Sequence, residues 1–177
     1  MTRQESYRRV ALLCCHCTRN LAFYRAGRKD DGSLLNKSDF GATVNNNFID
    51  VAVLEWCKLF GNDSEKHHWK NIVKSKTFFR NELLAYLKTD IKSFRKFWKK
   101  STTYRNRFLA HLDSDETMLI PEMEFARMSV SFYYDHIVRQ LDQSTIVLGY
   151  PRNLTTYYNE CMRHADANYS RKYATKN

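Results

Sequence analysis

The chain has few residues that interrupt regular structure, with two prolines and five glycines among 177 residues. Folds made of many short strands and tight turns need more of both, so this scarcity argues against them and favours helices. Charges occur throughout residues 1–30, and no apolar run reaches the roughly 20 residues of a membrane-spanning helix. The sequence therefore predicts an all-α protein without a signal peptide and without a membrane partner.

The cysteines are few and unevenly placed. There are five, and three of them crowd together at Cys14, Cys15 and Cys17. Secreted scaffolds carry even, well-spaced sets, so we expect a reducing, cytoplasmic location. Neighbouring residues of a helix point about 100° apart, so the four residues of "CCHC" cannot all reach one tetrahedral metal ion. We predict buried structural cysteines and neither metal nor cofactor, and we interpret His67-His68 as a surface pair.

Apolar residues recur at helical spacing along most of the chain. The longer predicted helices run from Gln4 to about Arg25, Asp39 to Phe60, Asp90 to about Leu112, Pro121 to Leu141 and Leu154 to about Tyr169. Pro121 is placed in a first turn, where a proline loses no hydrogen bond, and Asp90 is the expected N-cap of its helix.

Shorter helical segments lie between residues 63 and 90. One contains Trp69, Ile72 and Val73 and is expected to be capped by Asp63 or Ser64. Another contains Phe78, Phe79, Leu83, Leu84 and Leu87. Residues 143–150 are the one strand-like run. We predict a single α-helical domain of five to six helices over residues 1–177, with a C-terminal helix and basic tail from about residue 151.

Positive charge is concentrated in one quarter of the chain. The net charge is +10, and residues 66–107 carry 13 lysines and arginines against only Glu82 and Asp90, a local net charge of +11. Such a surface either keeps a protein soluble or binds a polyanion, because clustered Lys and Arg release counterions from phosphate groups. Charge alone leaves both interpretations open.

The stretch "TYRNRFLAHLDSDE", Thr103 to Glu116, places polar groups at the end of an amphipathic helix. In one interpretation the arginines extend their heads to water and His111 is a boundary histidine. In the other, His111 transfers a proton near neutral pH, Arg105 stabilises a phosphate and Asn106 orients either group. On a straight helix Arg107 and His111 share a face, whereas Arg105 lies about 120° from His111.

The segment "RNRFLAH" resembles the Arg-polar-x4-His signature of HEPN domains, small all-α modules found in RNA-cleaving toxins and phage-defence proteins. The matching residues are Arg105, Asn106 and His111. The flanking segments "HLDSD", "LEWCKLFGND" and "HWKNIV" resemble the subgroup related to abortive-infection proteins. The resemblance extends over roughly residues 40 to 140.

The resemblance implies that the five to six helices form a HEPN-like up-and-down bundle. It also implies an endoribonuclease that needs no metal and leaves 2′,3′-cyclic phosphate ends. His111 would act as acid or base, Arg105 would stabilise the phosphorane and Asn106 would assist. It also implies a homodimer with a composite active site, and an antitoxin or nucleotidyltransferase as a further partner. The residues expected to bind RNA are Arg107, Lys92, Arg95, Lys96, Lys99 and Lys100. Some HEPN domains only bind or dock, so a non-catalytic RNA-binding or protein-docking module is the alternative, followed by a purely structural protein.

Overall fold

The structure is a computed structural model that describes residues 2–109, 120–141 and 149–173. Within these ranges the chain forms helices and no strand, which confirms the all-α prediction. The helices are α1 Arg3–Ala26, α2 Asp39–Trp56, α3 Trp69–Ile72, α4 Lys76–Tyr86, α5 Ile91–Tyr104, α6 Met123–Val138 and α7 Leu154–Tyr173. Two π-helical turns, Cys57–Gly61 and Arg105–Leu109, extend α2 and α5.

The described ranges thus hold seven helices, more than the five to six predicted. The two short segments predicted between α2 and α5 are both present, as α3 and α4. Val73 adopts an extended conformation (φ −78°, ψ 144°) and ends α3 after a single turn, which separates it from α4. The up-and-down HEPN arrangement remains a prediction.

Several helices begin where local chemistry predicts. Thr2 and Glu5 form a capping box at α1, the Ser38 hydroxyl accepts from Gly41 N–H at α2, and Asp90 accepts from Ser93 N–H at α5. The predicted start at Pro121 is wrong, because Glu122 is the N-cap and α6 begins at Met123.

Some predictions fall partly on undescribed positions. The predicted helix reaching Leu112 can be followed to Leu109, and the rest of it, with His111, lies outside the described residues. The same holds for residues 143–148 of the strand-like run and for residues 174–177 of the basic tail.

Helix α1 is central, because it packs against α2, α6 and α7. Its cysteines are part of that packing. Cys14, Cys15 and Cys17 are buried and free, as predicted, and burial raises the pKa of the Cys15 thiol to about 12. In the described ranges, no group of three or more His, Cys, Asp or Glu is placed to hold a metal ion.

Aromatic side chains join α2 to α5 and α6. The Trp56 ring stacks on Phe60 at 5.4 Å between centroids and meets Phe97 edge-on at 5.0 Å. Its indole N–H donates to Ser129 Oγ on α6 at 3.0 Å, so the buried polar atom is satisfied. These contacts hold α5 against the end of α2, which fixes one wall of the groove described below.

No helix in the described part of the chain has both the length and the apolar character needed to cross a membrane.

Candidate functional site

A groove of about 820 Å³ lies between α3, α4 and α5. Its lining contains six cationic residues and, among the residues the structure describes, a single carboxylate, Asp63. The cations are Lys70, Lys76, Arg80, Arg95, Lys99 and Arg105. Within the described ranges only Lys70 of these six forms an ion pair, at 2.6 Å to Asp63. Carboxylates of the described residues leave the other five cations without an ion pair, so this part of the groove attracts anions.

Trp98 lies along this groove between Arg95 and Lys99 of α5. Its indole N–H donates to the carbonyl oxygens of Phe60 (3.0 Å) and Gly61 (2.9 Å), the last two residues of the π-helical turn that follows α2. Carbonyl groups at a helix end lack hydrogen-bond partners within the helix, and the indole N–H supplies a partner for these two. The two hydrogen bonds also fix the orientation of the indole ring. The residue nevertheless remains 38% exposed.

His68 and Asp63 form the end of the groove near α3. His68 is only 1% exposed, so its interpretation as part of a surface pair is wrong; His67 is half-buried. His68 Nδ1 accepts from Lys70 N–H at 3.2 Å and caps α3, a role predicted for Asp63 or Ser64. Its Nε2 lies 3.4 Å from Asp63 Oδ1. Since Nδ1 accepts a hydrogen bond, the proton of the neutral ring is on Nε2.

The environment of His68 favours this neutral form. Burial lowers the pKa of His68, while its hydrogen bond to the Phe60 backbone and the nearby Asp63 carboxylate oppose that shift more weakly. The imidazole therefore serves as a cap and a packing group of the groove wall.

Arg105 and Asn106 line the same groove, so the structure places two of the three predicted catalytic residues there. Arg105 is half-buried, Asn106 is exposed, and Arg105 Nε donates to Asn106 Oδ1 at 3.0 Å. The amide thereby orients the guanidinium group. The third predicted residue, His111, lies outside the described residues, and Arg107 is exposed and absent from the groove lining.

The first five residues of the motif, Arg105–Leu109, form a π-helical turn. A π turn is closed by i→i+5 hydrogen bonds and holds more residues than an α turn. A regular α-helix would place Arg107 on the same face as His111, and Arg105 about 120° away from His111. Residues 105–109 do not form a regular α-helix, so these angles do not apply to them. The turn contacts α2. Cys57, the first residue of the π-helical turn that follows α2, is near Arg105: burial raises the pKa of the Cys57 thiol to about 12, and the Arg105 charge opposes the shift.

The predicted RNA-binding residues of α5 do not share one surface. Arg95 and Lys99 line the groove, whereas Lys96 and Lys100 line a separate hollow of about 160 Å³ with Glu122 and Phe125. Lys92 is exposed, four residues before Lys96, and absent from the groove lining. Neighbouring residues on a helix point about 100° apart, which explains why Arg95 and Lys99 line the groove while Lys96 and Lys100 line the hollow.

Among the lining residues that the sequence analysis missed are three cations and an exposed tryptophan: Lys70, Lys76, Arg80 and Trp98. The spacing of Lys76 and Arg80, four residues apart in one helix, and the position of Trp98 between two cations were available signals. These local signals do not show that α3 and α4 lie beside α5, because that arrangement depends on tertiary packing.

No family model matches the chain, and no curated protein or solved structure is significantly similar to it. The fold and the site define an all-α protein with a basic groove, and its resemblance to HEPN domains depends on the residues quoted above.

Proposed function

We propose that the chain is a HEPN-type endoribonuclease that binds RNA in the basic groove and cleaves it without a metal ion, in toxin–antitoxin or phage-defence growth arrest in the cytoplasm. The observation that carries the proposal is the position of Arg105 and Asn106. They lie in a groove that five further cations line, so a motif for phosphate chemistry and a surface for phosphate binding coincide.

The groove supplies the binding part of this function. Phosphate groups of a bound strand replace counterions at Lys76, Arg80, Arg95 and Lys99, and log K falls with log salt by about 0.7 per contact for a single strand. Arg105 differs from these four because its Nε donates a hydrogen bond to Asn106 Oδ1. This bond orients the guanidinium group and leaves its two terminal nitrogens to donate to a phosphate. A fixed guanidinium group suits a phosphate whose charge increases in the transition state.

The reaction is an internal transesterification. The ribose 2′-oxygen forms a bond to the adjacent phosphorus, its proton passes to a base, and the bond from phosphorus to the 5′-oxygen breaks as that oxygen takes up a proton. The products are a 2′,3′-cyclic phosphate and a 5′-hydroxyl end. His111 supplies one of the two proton transfers and Arg105 stabilises the phosphorane. In this proposal a homodimer brings two motifs to one cleft, and an antitoxin or nucleotidyltransferase partner restrains activity.

Cleavage of labelled structured RNA in EDTA tests the proposal, with the wild type beside Arg105→Ala and His111→Ala. We expect cyclic-phosphate ends from the wild type and a loss of about 100-fold or more in both variants. Lys96→Ala is the matched control, since it removes one charge from α5 outside the groove, and it should retain activity. Equal cleavage by all four proteins would identify a contaminating nuclease and refute the proposal.

A non-catalytic RNA-binding or docking module is the alternative, and one observation favours it. The described lining contains a single imidazole, His68, and its Nδ1 lone pair is already engaged by Lys70 N–H. The lone carboxylate, Asp63, accepts from Lys70 Nζ, which lowers its pKa and makes it a weak base. This alternative predicts salt-dependent RNA binding in the same assay with no cleavage by the wild type.

A further inference from the structure

The three tryptophans of the chain have different surroundings. Trp56 and Trp69 are buried, and each stacks on a phenylalanine ring, Phe60 and Phe79 respectively. Trp98 is 38% exposed. Exposing an indole in water is unfavourable, since aromatic rings have the largest apolar surfaces in a protein. Single exposed apolar side chains are common on protein surfaces, and what distinguishes Trp98 is that it lines the basic groove.

The hydrogen bonds of Trp98 exclude a freely rotating surface side chain. The indole N–H donates to two carbonyl oxygens, those of Phe60 and Gly61. The backbone carbonyl oxygen of Trp98 in turn accepts a hydrogen bond from the Thr102 hydroxyl at 2.9 Å. The backbone on both sides of the ring is helical, so the indole is held at one orientation beside the groove. A ring fixed in advance loses little conformational entropy when a ligand stacks on it.

The groove surrounds this ring with cations. Arg95 and Lys99 precede and follow Trp98 on α5, and Lys76 and Arg80 line the groove from α4. An aromatic ring among cations is the arrangement by which proteins bind an unpaired nucleic-acid strand, because a base stacks on the ring while the flanking phosphates meet the charges. A duplex offers no free base face, so it cannot use such a ring.

We propose that Trp98 is a stacking platform for one unpaired base, and that the groove therefore selects single-stranded segments of RNA. The inference rests on the proposed function in one respect, that the groove binds RNA. It adds the residue that recognises the base and the class of strand that fits.

Two substitutions separate stacking from structure. Trp98→Phe and Trp98→Leu both remove the indole N–H, so both leave the Phe60 and Gly61 carbonyls without this donor. Only the phenylalanine variant keeps an aromatic face. The probes are two short single strands of equal phosphate number, one with bases and one abasic, both with 2′-O-methyl riboses so that no cleavage occurs during the titration.

We expect the wild type to bind the base-bearing strand about tenfold more tightly than the abasic strand. Trp98→Phe should keep most of this preference, and Trp98→Leu should bind both strands alike. Equal binding of the two strands by the wild type, or a full preference in Trp98→Leu, would overturn the inference.

Intrinsic fluorescence gives a test that needs no variant. Trp56 and Trp69 are buried, so quenching by acrylamide reports mainly Trp98. The base-bearing strand should quench the wild-type fluorescence and protect it from acrylamide, whereas the abasic strand should do neither at equal occupancy. Identical effects of both strands would also overturn the inference.

These outcomes separate this inference from the proposed nuclease. A base preference that depends on Trp98, without cleavage of unmodified RNA, would refute the nuclease and support the platform. Cleavage that depends on Arg105 and His111, without a base preference, would support the nuclease and refute the stacking platform. No binding of either strand would refute both.

Discussion

The phenolic O–H of Tyr104 donates a 2.6 Å hydrogen bond to Asp50 Oδ1. This bond joins α5 to α2 one residue before the π-helical turn that carries Arg105 and Asn106. Tyr104 is 1% exposed, and burial together with the Asp50 carboxylate raises the pKa of its hydroxyl, which keeps it protonated and able to donate. The position of Arg105 at the groove thus depends on a contact between two helices.

Removing this bond should destabilise the protein. We expect Tyr104→Phe to lower the free energy of unfolding by about 1–2 kcal/mol, since hydrogen bonds to charged groups contribute more than neutral ones. Urea denaturation measures the change. The control is Asp50→Ala, which removes the acceptor, alone and combined with Tyr104→Phe, because the two losses should be less than additive if the side chains interact. Strict additivity would show that the bond contributes nothing to stability.

The two faces of α5 should differ in RNA binding. Arg95→Ala with Lys99→Ala removes two charges from the groove, and Lys96→Ala with Lys100→Ala removes two from the separate hollow. We expect the groove pair to weaken single-stranded RNA binding and to reduce the slope of log K against log salt by about 1.4, at about 0.7 per phosphate contact. The matched pair should change the slope little. Equal effects would mean that only net charge matters.

His68 should make the protein sensitive to acid. Burial lowers its pKa in the folded state below the value of about 6.5 in an unfolded chain. Its contribution to stability is therefore present above about pH 6.5 and is lost as the pH falls through the folded pKa. His67 and His136, whose pKa values are also lowered mainly by burial, contribute to the same loss.

The variant His68→Asn isolates one part of that effect. Asparagine is a good N-cap, so it can accept from Lys70 N–H without titrating. We expect the free energy of unfolding of the variant, measured by urea at about pH 7.5 and 5.5, to fall less on acidification than that of the wild type. An unchanged pH dependence would show that His68 does not contribute to it.

The connection between α4 and α5 contains a strained residue. Lys88 has φ 49°, in the left-handed region, and the bonds Lys88 N–H to Ala85 O and Thr89 N–H to Leu84 O close the end of α4. Glycine adopts this conformation without a steric penalty, so Lys88→Gly should stabilise the protein by about 0.5–1 kcal/mol in thermal unfolding. Lys88→Ala, which removes the charge but keeps the Cβ atom, is the control and should give no such gain.

The helices could be predicted because their signals are local. Asp90 is the N-cap that the sequence predicts, and it accepts a backbone hydrogen bond from the first turn of α5. Thr2 and Ser38 cap α1 and α2 in the same way, although neither was predicted. Other local signals misled. Pro121 is compatible with a first turn but lies before the cap of α6, and His68 caps α3 through an imidazole nitrogen, where an oxygen was expected.

The candidate site was less predictable, for a geometric reason. Arg105 and Asn106 were found from a short motif, and Arg95 and Lys99 from the charge of α5. Sequence did not distinguish these two cations from Lys96 and Lys100, since all four are exposed positions of one amphipathic helix. The side of α5 that forms a groove depends on where α3 and α4 pack.

Periodicity, caps and charge density are properties of neighbouring residues, so they specified an all-α chain with a basic central region before any tertiary contact was known. The groove, the burial of His68 and the fixed ring of Trp98 arise from contacts between segments distant in the chain. Trp98 reaches the carbonyls of Phe60 and Gly61 across 38 and 37 positions of sequence. Such contacts depend on how complementary side-chain shapes pack together, and the spacing of residues along one helix does not contain that information.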